Sequence, residues 1–153
     1  MKRSFRRSGD RIEVHLVPTD RALLGQVLAV LESVGATIDD PAVAVLQRDA
    51  YADDADASAK FASITEGEVA SLRGIDRDVL GFVADGAEDL SRPEALSLLR
   101  SINEARLALG ARAGAFDMGD AWSRQIDHDQ RLVVVAWLGA LQADLLRVVP
   151  STR

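Results

Sequence analysis

The residue types that perform chemistry are thinly spread in this chain. Its two histidines, His15 and His128, stand far apart in sequence and in no triad or metal-ligand spacing, so both read as structural. Asp53-Asp54-Ala55-Asp56 has the charge of a cation site. It lacks the glycine and the closing bidentate Glu of a calcium loop, and reads as a solvated cluster near a helix N-terminus. The eleven glycines are scattered singly, so no phosphate-cradling loop is present. Zero cysteines exclude a disulfide scaffold, a thiol nucleophile, a Cys-ligated zinc or iron–sulfur centre and a dithiol switch within the chain. The expectation is therefore a protein with no catalytic residues, no metal and no cofactor, and so not an enzyme.

What remains is a charged surface. The chain has 153 residues, 48% of them hydrophobic and 27% charged, with a formal net charge of −6. Such a mean field repels phosphates, which argues against a general nucleic-acid coat protein. The charge is uneven, however. Lys2, Arg3, Arg6, Arg7 and Arg11 face only Asp10 near the N-terminus, whereas Asp39, Asp40, Asp49, Asp53, Asp54 and Asp56 make an acidic middle. Arg3, Arg6, Arg7 and Arg11 are thus the candidate nucleic-acid contacts, as phosphate ligands or as an arm in a minor groove. The competing reading is a solvated edge strand whose charges discourage strand addition. No apolar run reaches the roughly 18 residues of a membrane span, and the basic start lacks the apolar core of a signal peptide, so the expected location is cytoplasmic, away from membranes.

The elements that must carry these residues follow from periodicity. Ile12, Val14 and Leu16 alternate with Arg11, Glu13 and His15 behind Ser8-Gly9-Asp10, which predicts a short hairpin before Pro18. Leu23, Leu24, Val27, Leu28, Leu31 and Val34 repeat at helical spacing and predict a helix from Asp20 to Val34, stopped by Gly35. Asp40-Pro41 looks like an N-cap with proline at the first position of a short helix to about Leu46. Capping boxes at Thr65-Glu66-Gly67-Glu68 and Ser91-Arg92-Pro93-Glu94 predict helices from Glu66 to Ala84 and from Arg92 to Arg112, and Asp127-His128-Asp129-Gln130 opens a last one from His128 to Val149. The sum is an all-α fold, a bundle of about five helices over residues 18–150 with a β-hairpin arm over 1–17, in a single domain over 1–153.

Three details refine the reading. A helix-turn-helix starting at Glu66 would set Ala70 at its small position and Gly74 at its turn. Arg73 then occupies a site usually apolar, and Asp76, Arg77, Asp78 and Gly81 suit a recognition helix poorly. Arg106 falls on the same helical stripe as Leu98, Leu99, Ile102, Leu109 and Ala113, so it should be buried and paired with a carboxylate or with backbone carbonyls, a structural role set against a ligand-binding one. The segment Leu132 to Leu141 has no polar side chain. A helix apolar all round must be covered on every side, either as the central helix of its own bundle or by a second subunit along a seam containing Val133, Val134 and Trp137.

The basic hairpin with its Leu-rich helix, Asp49-Ala50-Tyr51-Ala52-Asp53-Asp54 leading to Phe61 and Thr65-Glu66, the run Asn103-Glu104-Ala105-Arg106-Leu107-Ala108-Leu109-Gly110-Ala111-Arg112, and Trp137-Leu138-Gly139-Ala140-Leu141-Gln142 together resemble the actinobacterial oxidative-stress transcriptional regulator AosR family over nearly the whole chain. The resemblance implies a small, cytoplasmic, non-enzymatic protein of stress-responsive transcription. Thiol-based oxidant sensing is closed to this chain, whose only sulfurs are those of Met1 and Met118. The expected function is regulation by macromolecular binding, with DNA met through the N-terminal hairpin and no cysteine redox switch. The alternative is a dimeric protein-interaction module with no DNA contact.

Overall fold

A computed structural model of the chain describes residues 3–50, 73–114 and 129–149. The acidic Asp53-Asp54-Ala55-Asp56 cluster, Tyr51, Phe61, Ala70, the capping sequence at Thr65, Met1, Lys2, Met118, Asp127 and His128 lie outside these residues.

Strands β1 (Phe5–Ser8) and β2 (Arg11–Val14) form the expected hairpin, pairing antiparallel with Phe5 opposite Val14 and Ser8 opposite Arg11. Gly9, at φ 63°, takes the first of the two turn positions, where a tight hairpin turn demands a left-handed residue. A third strand, β3 (Asp89–Leu90), adds to the free side of β2 with Ile12 opposite Leu90. The protein is therefore mostly helical with a small three-stranded antiparallel sheet, not all-α. A strand of two residues is too short to show alternation, which is why the sequence pattern did not reveal it.

Among the described residues, five helices follow the hairpin. Helix α1 (Pro18–Glu32) starts earlier than the pattern predicts, because Pro18 serves as a first-turn residue behind Val17, and Asp20 sits in the first turn near the positive end of the helix. It stops short of Val34. Gly35 at φ 86° and Asp39 at φ 62° carry the chain through the reversal that follows. Helix α2 (Pro41–Ala50) runs past Leu46. Asp40 caps it as expected, its Oδ1 accepting from the Ala42 amide at 3.1 Å. Helix α3 is described over 73–84 and ends where predicted. Gly74 lies inside it, so this residue is not the turn of a helix-turn-helix. Helix α4 (Arg92–Arg112) has the predicted bounds and the complete capping box: Ser91 N donates to Glu94 Oε1 at 2.8 Å, and Glu94 N to Ser91 Oγ at 3.3 Å. Helix α5 (Gln130–Val148) is capped by Asp129, which accepts from the Arg131 amide, so the helix starts two residues after His128.

The centre of the molecule is α4. It packs against α1, α2 and α5 and reaches β2 and β3, and its buried side includes Ala95, Leu98, Ile102, Ala105 and Leu109. Phe5, Ile12, Leu24, Leu31, Leu80, Leu90, Leu138 and Leu145 close the core around it, each wholly buried. Helix α5, apolar all round and so expected to be covered on every side, buries only Leu132, Val135, Leu138, Leu141, Asp144 and Leu145. Its other face is built from Val133, Ala140, Ala143 and their neighbours and stays open, with Val133 47% exposed.

Candidate macromolecule-binding surface

The four candidate arginines do not share one face. Cross-strand partners lie on the same side of a pleated sheet, so Arg6 and Arg11 stand on the outer side with Glu13, while Arg7 lies on the side of Phe5, Ile12 and Val14. Arg3 has the same parity as Phe5 and faces α5. Arg11 is held by the Asp89 carboxylate, which also pushes the guanidinium pKa further up by hydrogen bonding. Arg7 folds over the turn, its Nε donating to Gly9 O at 3.3 Å. Arg6 is exposed opposite Glu13. Beside this outer side, a cleft of about 650 Å³ is lined by Glu13, Glu88 and Asp89 together with His15 and Arg21. His15 sits with its Nε2 3.7 Å from Glu13 Oε2. The basic arm thus has an acidic flank.

The base of the hairpin is fixed by residues that sequence reasoning did not single out. Asp144, buried on α5, accepts through Oδ2 from the amides of Ser4 at 2.9 Å and Phe5 at 3.1 Å, and through Oδ1 from Arg147. Two backbone donors at the start of β1 are thereby tied to the last helix by one carboxylate. On the other side, Arg21 of α1 donates to the carbonyls of Val83 at 2.7 Å, Ala87 at 2.9 Å and Leu16 at 3.3 Å, joining the hairpin exit to the end of α3. Between β1 and α5 lies a cleft of about 470 Å³, with Trp137, Ala140 and Leu141 as its apolar wall and Arg3, Asp144 and Arg147 as its charged one.

Behind this surface, three buried carboxylates tie α4 to its neighbours: Asp40 and Asp76 receive arginines of α4, and Glu104 on α4 receives arginines of α3. Asp40 receives the Arg112 guanidinium in a bidentate fork, Nη2 to Oδ2 at 2.7 Å and Nε to Oδ1 at 3.1 Å, and accepts from the amides of Gly35 and Ala42. The Arg112 bond, helped by those amides, holds the Asp40 carboxyl well below the usual carboxylate range against the opposing effect of burial. Asp76 of α3 receives Arg100 through two bonds of 2.9 Å. Glu104 faces Arg73 Nε at 3.3 Å and Arg77 Nη2 at 3.9 Å. Arg73 and Arg77, the only cations offered by the helix-turn-helix reading, are accordingly engaged in the interior. No group of three or more His, Cys, Asp or Glu among the described residues is placed to hold a metal ion.

Arg106 is half-buried between α4 and α5, and its partner differs from the expected one. Nη1 donates to the Gln142 side-chain oxygen at 2.5 Å, and no carboxylate pairs with it among the described residues. The reason lies across the helix pair. Gly139 has no side chain, and a Cβ built there would stand 3.4 Å from the Arg106 guanidinium, so the fork lies flat over a bare stretch of α5 and reaches the nearest polar group on it. The stripe on α4 predicts a buried Arg106, whereas the structure leaves it half-buried with a partner on another helix that the stripe does not identify. Of the proposed seam residues, Val133 is exposed and Val134 and Trp137 are half-buried. No helix of the described residues is long and apolar enough to cross a membrane.

No curated protein and no solved structure matches the chain. A family model described as a domain of unknown function, DUF2017, matches residues 2–149. With the match running from the hairpin to the end of α5, the chain belongs to the DUF2017 family.

Proposed function

We propose that the protein is a non-enzymatic regulator, a helical bundle that works in the cytoplasm by binding macromolecules, as the AosR resemblance implies, and that its hairpin is the element that meets DNA. The observation that carries this reading is the exposed hairpin tip with its edge strand. Strand β3 pairs only with Ile12 and Glu13, so the 8–11 end of the ribbon runs past it, with Arg11 at that end and Arg6 and Arg7 on the outer strand level with β3, one on each face. A major groove admits such a ribbon, and guanidinium groups on both faces reach phosphates on both walls. The Asp144 clamp holds the base of that ribbon still.

Binding to genomic DNA fragments at several salt concentrations tests it. Replacing Arg3, Arg6, Arg7 and Arg11 together by Ala is expected to weaken binding to all sequences alike and to flatten its salt dependence. Undiminished binding by that variant defeats the assignment. The second reading, a protein-interaction module with no DNA contact, draws support from Arg11 being taken by Asp89 and from the net charge of −6. It predicts no salt-dependent DNA binding by the wild-type protein at all.

A further inference from the structure

The N-cap Asp129 and, on the less buried side of α5, Val133, Ala136, Ala140, Ala143 and Arg147 follow in steps of four, three, four, three and four residues, Asp129 and Ala136 being half-buried. At 3.6 residues per turn these positions fall in one stripe opposite Leu138 and Leu145. The spacing is symmetric about the level of Leu138, and so is the chemistry: an acid at one end, a base at the other, small apolar residues between. Val133, Ala140, Ala143 and Arg147 are exposed, as is the flanking Leu146 at 58%.

We infer that this face is the seam of a two-fold homodimer in which α5 packs antiparallel on α5 of a second copy. Reversal about the level of Leu138 sets Ala136 against Ala140 of the partner subunit and Val133 level with the partner's Ala143, and small residues let two helix axes approach closely. It also sets Asp129 opposite the partner's Arg147, twice. Each of these already has a neighbour in its own chain, Arg131 at 2.8 Å for Asp129 and Asp144 for Arg147. The dimer therefore strings Arg131, Asp129, Arg147 and Asp144 into a line of alternating sign at each end. A parallel pairing would set Asp129 against Asp129 and Arg147 against Arg147. Antiparallel packing also opposes the two helix dipoles. Trp137, Ala140 and Arg147 line the cleft beside β1 as well, so the second copy lies along its mouth, with the two indoles on the same side of the seam.

This deepens the binding reading by naming a second copy as one partner, and it is tested on purified protein without DNA, so either can fail alone. Light scattering and sedimentation at micromolar concentration are expected to give twice the chain mass. Ala140→Glu, at an exposed position, is expected to give monomers with an unchanged circular dichroism spectrum. Val133→Cys and Ala143→Cys proteins, mixed in equal amounts under mild oxidant, should give several-fold more disulfide-linked dimer than either alone, since the register sets the two exposed positions level with each other across the seam. A monomeric wild-type protein, or a dimer that survives Ala140→Glu, overturns the assignment. Absence of that cross-link in the mixture overturns the antiparallel register.

Discussion

Asp40→Asn isolates one buried charge whose surroundings are fully defined. The wild-type carboxylate is 2% exposed and accepts two bonds from Arg112 and one each from the Gly35 and Ala42 amides. The asparagine keeps the shape and one acceptor oxygen but turns an NH2 group towards a donor, either the guanidinium fork or a backbone amide. Breaking one side of a buried ion pair costs about 3–5 kcal/mol. The retained oxygen places the expected loss at the lower end, about 3 kcal/mol. For a chain of this size that lowers Tm by roughly 6–12 °C and moves the urea midpoint by about 1–2 M. The pH dependence gives an independent check. The folded carboxyl ionises more readily than the unfolded one, whose pKa is about 4, so on acidification the unfolded state takes up the proton first. The contribution of Asp40 is therefore complete above about pH 4 and drains away as pH falls below it. Urea titrations of both proteins between pH 7 and 3, followed by far-ultraviolet circular dichroism, should show a gap that narrows below pH 4. A loss under about 0.5 kcal/mol at pH 7, or a gap indifferent to pH, would show that the fork does not hold α2 and the end of α1 as described.

Ser91→Ala removes one half of the capping box on α4 and is expected to cost about 1 kcal/mol in chemical denaturation with no change in the circular dichroism spectrum of the native state. Asp144→Ala leaves the Ser4 and Phe5 amides without their acceptor. It should cost about 2–4 kcal/mol, and amide exchange measured by mass spectrometry should accelerate first in the segment containing Phe5.

Where local chemistry decided the structure, the sequence was readable. The spacing Ser91 to Glu94 located the start of α4, and Asp40-Pro41 that of α2, because a cap is a contact between residues three or fewer apart. The Gly9 turn and the alternation of Ile12 and Val14 gave the hairpin for the same reason. The errors came from distance. Strand β3 exists only because Leu90 meets Ile12. Arg106 was placed on the right stripe, but its partner depends on a glycine and a glutamine of another helix, Gly139 and Gln142. Apolar residues around all of α5 left two covers open, its own bundle or a second subunit, and only the packing of distant elements decides which face the chain itself buries. The candidate surface was legible as four arginines and illegible as an arrangement, since the register and Asp89 decide which of them stand together.

The bond from Asp144 to Ser4 and Phe5 spans 140 and 139 positions of the chain. It has a consequence for biosynthesis. During translation the hairpin leaves the ribosome 139 to 140 residues ahead of its anchor, so the strand most exposed to stray pairing spends that interval without the carboxylate that finishes it. Phe5, wholly buried in the finished protein, has no α5 to pack on until that helix emerges. The arginines at Arg3, Arg6 and Arg7 repel like strands during that interval and so keep nascent copies from adding to one another. The same charges would then serve twice, as a guard on the unfinished chain and as the proposed contact surface of the finished one.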